Sequence, residues 1–131
     1  MTDRMVAVNA MRATYVALYE RDAVKDAADK LDAMTILNPD GRCGYCQMPL
    51  TGGASTCFDH KYGDGSEWRK NRGITSRIEI RWIKNGTHPE PTNRTFCCTD
   101  CNQEKGKMNA DEFVNTEFIT RRRRMVEAAG I

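Results

Sequence analysis

The chain has 131 residues and a mass of 14.8 kDa, with 40 % hydrophobic and 29 % charged residues, a net charge of +2 and six cysteines. That size and composition predict one globular domain with a helical appendage at most, and exclude collagen-like or disordered chains. No run of about 18 apolar residues offers a membrane span. Met1-Thr2-Asp3-Arg4 lacks the basic and apolar regions of a secretory leader. A cytosolic compartment is therefore expected, where cysteines hold metal more often than they form disulfides.

Residues 1–42 are predicted to be a helical segment. Val8, Met11, Tyr15 and Leu18 recur at helical spacing, Val24, Ala28 and Leu31 continue it, and Asp22, Asp26, Asp29 and Asp32 line a polar side. A long bent helix or a helix pair fits, with the apolar face packed on the core or on a second copy. Asn38-Pro39-Asp40-Gly41 ends it, because proline biases the residue before it away from helix.

Residues 43–108 are predicted to be the functional core. Thr56–Asp59 and Arg94–Cys98 read as short strands. In Arg77–Lys84, Ile78, Ile80 and Trp82 alternate with Arg77, Glu79 and Arg81, which predicts a half-buried strand turning at Asn85-Gly86. A helix is expected over 101–108. Asn109 is expected to cap a C-terminal helical segment, 109–131, whose Phe113 or Val114, Phe118, Met125 and Val126 mark an apolar side. The whole reads as α+β.

The chemistry concentrates in two C-x-x-C pairs, Cys43-Gly-Tyr-Cys46 and Cys98-Thr-Asp-Cys101, separated by 51 residues. Two such turns can place four thiolates around one zinc ion, and a closed tetrathiolate site is structural. Cys57 and Cys97 are left as core residues facing each other on neighbouring strands. Between the knuckles, Asp59-His60 joins a hard oxygen ligand to a titratable base. Asn102 follows Cys101 directly, so Asp59 and Asn102 could share a second, hard cation such as Mg²⁺. His88, in His-Pro-Glu-Pro, is expected in an exposed loop.

The order Cys-x-x-Cys, Asp59-His60, Asn93, Cys-x-x-Cys-Asn102, Lys105-Gly106 resembles the HNH endonucleases. These are the zinc-bearing ββα-metal nucleases, and the phage recombination endonuclease VII type is the nearest in pattern. The resemblance covers residues 43–106, about half the chain. It departs from a minimal motif in the 32 residues between His60 and Asn93. What it implies is a zinc-stapled ββα core flanked by helices that hydrolyses DNA phosphodiester bonds. His60 would be the general base, Asp59 and Asn102 would hold a catalytic Mg²⁺ or Mn²⁺, and Asn93 would support the loop bearing His60. Cys43, Cys46, Cys98 and Cys101 would be structural ligands. By resemblance alone, the setting is a bacterial or phage-infected cell and a homodimer is expected.

The basic residues supply the expected grip on DNA. Residues 61–84 have a net charge of +4. Arg72, Arg77, Arg81 and Lys84, with Lys105 and Lys107 beside the second knuckle, are the candidate phosphate contacts. Trp68 and Trp82 are stacking candidates, though burial is the commoner fate of tryptophan. Arg121–Arg124 could touch DNA or pair with nearby acids on a solvated helix. The rival functions are a non-catalytic zinc-stabilised nucleic-acid-binding module, which needs no Asp59–His60–Asn102 constellation, and a zinc-stapled protein adaptor, which needs no DNA at all.

Overall fold

The computed structural model describes residues 2–63 and 73–131. Arg72 and Trp68, expected as a DNA contact and a stacking residue, lie outside the described residues. The first element, α1, spans Asp3–Leu37 as one unbroken helix, about 52 Å long at 1.5 Å per residue. The Thr2 hydroxyl caps it by accepting from the Met5 amide at 3.2 Å. Val8, Met11, Tyr15 and Leu18 are exposed, so this face does not pack on the core. Among the described residues, the core contacts of α1 lie in its last third. There Ala33 packs with Ile83 and Phe96, flanked by Met34, Leu37, Phe58 and Ile80.

At the end of α1, Asn38 is buried and stitches the helix to the sheet. Its Nδ2 donates to the carbonyls of Arg42 (2.8 Å) and Phe96 (3.0 Å), and its Oδ1 accepts from the Phe96 amide at 2.9 Å. The sheet has two antiparallel strands, β1 (Thr56–His60) and β2 (Arg94–Cys98). Thr56 pairs with Cys98, Asp59 with Thr95 and His60 with Arg94. Cys57 lies opposite Cys97, as their positions on neighbouring strands predict.

Arg77–Lys84 is not a strand. It belongs to a helix, α2 (Ser76–Asn85), which packs along the end of α1. The Thr75 hydroxyl caps its start, accepting from the Ile78 amide at 3.3 Å, and Gly86 ends it in the left-handed conformation at φ 72°. Asn85-Gly86 is thus a helix stop, not a hairpin turn. The buried residues are Glu79 and Ile83, four apart, so the inward face follows helical periodicity. A charged residue in that face concealed the period.

Charge pairing across the α1–α2 seam completes the reason. Arg77 meets Asp26 at 2.8 Å, Lys84 meets Asp29 at 2.7 Å and Asp32 at 3.3 Å, and Arg81 lies 3.5 Å from Asp26 and 3.6 Å from Asp29. The three cations expected on DNA therefore face the aspartates of α1. The Lys84 hydrogen bond holds the buried Asp29 carboxyl below its ordinary value of 3.8, and Asp29 in turn raises Lys84 above 10.5. A depressed carboxyl stabilises the fold above its unfolded pKa and loses that contribution as pH falls through the folded one; the raised lysine acts below 10.5 and fails as pH rises past its folded value. Asp29→Asn is expected to lower the melting temperature by a few degrees at pH 7, the deficit closing as pH drops below 3.8. Melting curves across pH 2–7 with a constant deficit would contradict this assignment.

The remaining α-helices among the described residues are α3 (Thr99–Lys105), which continues from β2 without a loop, α4 (Ala110–Phe113) and α5 (Glu117–Ala129). Asn109 stands before α4, but its side chain accepts from the Gly63 amide at 3.0 Å instead of capping the helix. Ala110, Phe113 and Ile119 pack on Tyr45 and the cysteines to form the larger core. The described residues thus form a mixture of helices with one small antiparallel sheet.

Candidate functional site

Cys43 and Cys46 sit in a tight turn docked on β2, where the Gly44 amide donates to the Phe96 carbonyl at 3.0 Å. A Cβ at Gly44 would lie 2.3 Å from Thr95 Oγ1, so this approach requires glycine. Cys98 ends β2 and Cys101 lies in the first turn of α3. All four side chains are buried, and their sulfurs lie within 4.8 Å of one another. Cys46 Sγ and Cys98 Sγ are 3.8 Å apart. A zinc tetrahedron with bonds of about 2.3 Å has an edge of about 3.8 Å, so this spacing suits the ion and is far too long for a disulfide. The Tyr45 and Cys98 amides each donate to Cys43 Sγ at 3.4 Å.

Hydrogen bonding among the four sulfurs, led by Cys101, holds Cys46 and Cys98 below the ordinary thiol range, while Cys43 and Cys101 themselves lie above it. Arg122 of α5 answers this negative charge. Its Nη2 donates to Cys98 Sγ at 3.4 Å, while Nη1 reaches Asp100 at 3.2 Å. Desolvation opposes its charge, but the neighbouring sulfurs outweigh that and raise its pKa. Arg123 donates to the Tyr45 carbonyl at 2.9 Å. Half of the arginine run thus braces the knuckles, a use the sequence reading did not include.

Asp59 and His60 occupy the last two positions of β1 and leave the strand on opposite faces. Asp59 faces the first knuckle and α3. Its Oδ2 accepts from the Tyr45 hydroxyl at 2.5 Å and from Lys105 Nζ at 3.1 Å. Burial, then the Asp59 contact, pushes the Tyr45 phenol far above its usual pKa, so it remains a donor. Lys105 is itself buried and also donates to the His60 carbonyl at 2.9 Å. It braces the strand rather than reaching outward as a phosphate contact; Lys107 is exposed.

His60 is buried and faces the other way. Its Nε2 lies 2.8 Å from Glu79 Oε2 on α2. His88 is buried too, not exposed as expected, because its Nε2 lies 2.8 Å from Glu79 Oε1 and its ring meets Trp82 edge-on at 6.0 Å. Arg94 Nε donates to Glu79 Oε1 at 2.7 Å. Asn93 clamps the segment that leaves His60: Oδ1 accepts from the Tyr62 amide at 2.8 Å, Nδ2 donates to the Tyr62 carbonyl at 3.1 Å, and its carbonyl accepts from the Lys61 amide at 3.0 Å. Asn102 is half-buried in α3.

The structure therefore gathers the four cysteines, joins Asn93 to the segment after His60, and separates Asp59 from His60. Asp59 Oδ1 and the Asn102 amide make no hydrogen bond among the described residues, leaving two oxygens of the type a hard cation takes. Sequence reasoning missed Tyr45 and Glu79. The one signal for Glu79 was an acid inside the apolar run Ile78-Glu79-Ile80, flanked at a distance by two histidines. No helix is long and apolar enough to cross a membrane among the described residues. No family model matches the chain, and searches of curated proteins and of solved structures find no match either.

Proposed function

We propose that this protein is a metal-dependent DNA endonuclease built on a zinc-stapled strand–strand–helix unit. The observation that carries the reading is the run β1–β2–α3, with Asp59-His60 at the end of β1, Asn93 clamping the segment that follows, and Asn102 on the helix opened by the second knuckle. In the reaction, His60 takes a proton from water and the water oxygen bonds to phosphorus. The bond to the 3′ oxygen breaks, that oxygen keeps the electron pair, and it then takes a proton from solvent. A neutral imidazole suits this task near pH 7. Asp59 Oδ1 and Asn102 would hold a Mg²⁺ or Mn²⁺ ion, which when bound neutralises charge on the phosphate and the departing oxygen. The zinc site, closed by four thiolates, has no position for that work.

A second reading, a non-catalytic zinc-stabilised nucleic-acid-binding module, is favoured by one observation. Asp59 and His60 face opposite sides of the sheet, and each has protein partners of its own. The discriminating experiment offers plasmid, four-way junction, mismatched duplex and single strand with Mg²⁺, Mn²⁺ or chelator. The nuclease reading expects cleavage that stops with a chelator mild enough to leave zinc bound, and returns with Mg²⁺. Binding without cleavage of any substrate selects the module.

A further inference from the structure

The insertion between His60 and Asn93 sends one buried acid back to the sheet. Glu79, fully buried, meets His60, His88 and Arg94. Two histidines and a carboxylate invite a metal assignment. Arg94 argues against it, since its guanidinium donates directly to Glu79 Oε1, where a cation would have to approach. Among the described residues, only the four cysteines converge as a ligand set.

Hydrogen-bond directions assign the roles. The Glu90 amide donates to His88 Nδ1 at 2.9 Å, so that nitrogen is an acceptor and His88 carries its proton on Nε2, which donates to Glu79. Arg94 Nε also donates to Glu79. Among the described residues Glu79 is therefore an acceptor held by two donors, and its second oxygen faces His60 Nε2. The His60 backbone is fixed independently, by Lys105 at its carbonyl and by Asn93 one and two residues on. We propose that Glu79 is the positioning residue for His60: it holds the imidazole with its proton on Nε2, which makes Nδ1 its basic nitrogen. His88 and Arg94 position Glu79 in turn. This rests on the nuclease reading and gives the insertion a part in the hydrolysis.

The test pairs a spectrum with kinetics. Long-range ¹H–¹⁵N spectra of the wild-type, zinc-loaded protein should show His60 protonated on Nε2. Glu79→Gln should lower kcat by about 10²–10⁴-fold, the range for losing the group that orients a histidine base, with KM for DNA unchanged. A wild-type His60 protonated on Nδ1 overturns the proposal even if Glu79→Gln does not fold. So does a folded Glu79→Gln variant with wild-type kcat. A wild-type protein that cleaves no substrate overturns the nuclease reading beneath it, an outcome visible before any variant is made.

Discussion

Cys101→Ser is expected to abolish zinc binding and unfold the sheet, α3, α4 and α5. The reason lies in how little else holds this region. Five of the nine buried residues in its core cluster are cysteines, and four of those five are the candidate ligands. A structural zinc site contributes apparent free energies of about 10–16 kcal/mol, whereas a whole domain is stable by about 5–15 kcal/mol. Losing one ligand would also leave three buried sulfurs without the ion that neutralises them, and Arg122 without the thiolate charge it pairs with. Tyr45 lies between Cys43 and Cys46 and holds Asp59, so the damage would extend to the candidate cation ligand. Zinc content by elemental analysis, with thermal melts of wild type and variant, checks the expectation. A zinc-free Cys101→Ser protein that melts like the wild type would show the cluster to be ordinary core.

The second large effect concerns His60. Under the nuclease reading, His60→Gln is expected to lower the Mg²⁺-dependent cleavage rate by about 10²–10⁴-fold, the usual contribution of a general base, while DNA binding stays within about twofold. Glutamine is a better probe than alanine here. His60 is packed against Phe58 edge-on at 6.2 Å and hydrogen-bonded to Glu79, so truncation would open a cavity and strip a buried carboxylate of a partner. His88→Gln provides the contrast, because the Glu90 amide already occupies Nδ1 and Glu79 the other nitrogen. Its effect is expected to fall on stability and on the orientation of Glu79, leaving far more activity than His60→Gln. Cleavage by a folded His60→Gln protein at the wild-type rate would remove histidine base catalysis from the mechanism.

Much of the architecture could be read because its signals are local. C-x-x-C turns, a proline after the last helical residue, and five-residue β-rich runs each specify their conformation within a few positions. The α2 segment defeated that approach for a definable reason. In Arg-Ile-Glu-Ile-Arg-Trp-Ile-Lys the apolar residues alternate, while the helical face that is buried contains Glu79, whose partner His88 is nine positions on, beyond the helix. Its partners His60 and Arg94 lie 19 and 15 positions away. The basic residues of α2 were misleading in the same way, because the aspartates opposite them are some 50 positions earlier in α1. At the candidate site, the convergence of the four cysteines was legible, but the direction of each side chain from β1 was not. Adjacent strand residues diverge, and only the flanking helices decide what each one meets.

The two halves of the thiolate clasp are far apart in the chain, with Cys46 and Cys98 separated by 52 positions. On a ribosome adding about 5–20 residues per second, the first pair of cysteines emerges roughly 3–10 s before the second. During that interval an ion bound by this cluster could find at most half its ligands, and the nascent chain would expose two nucleophilic sulfurs to oxidants. Emergence of the second pair, rather than local collapse, would then set when these four sulfurs could close around a metal.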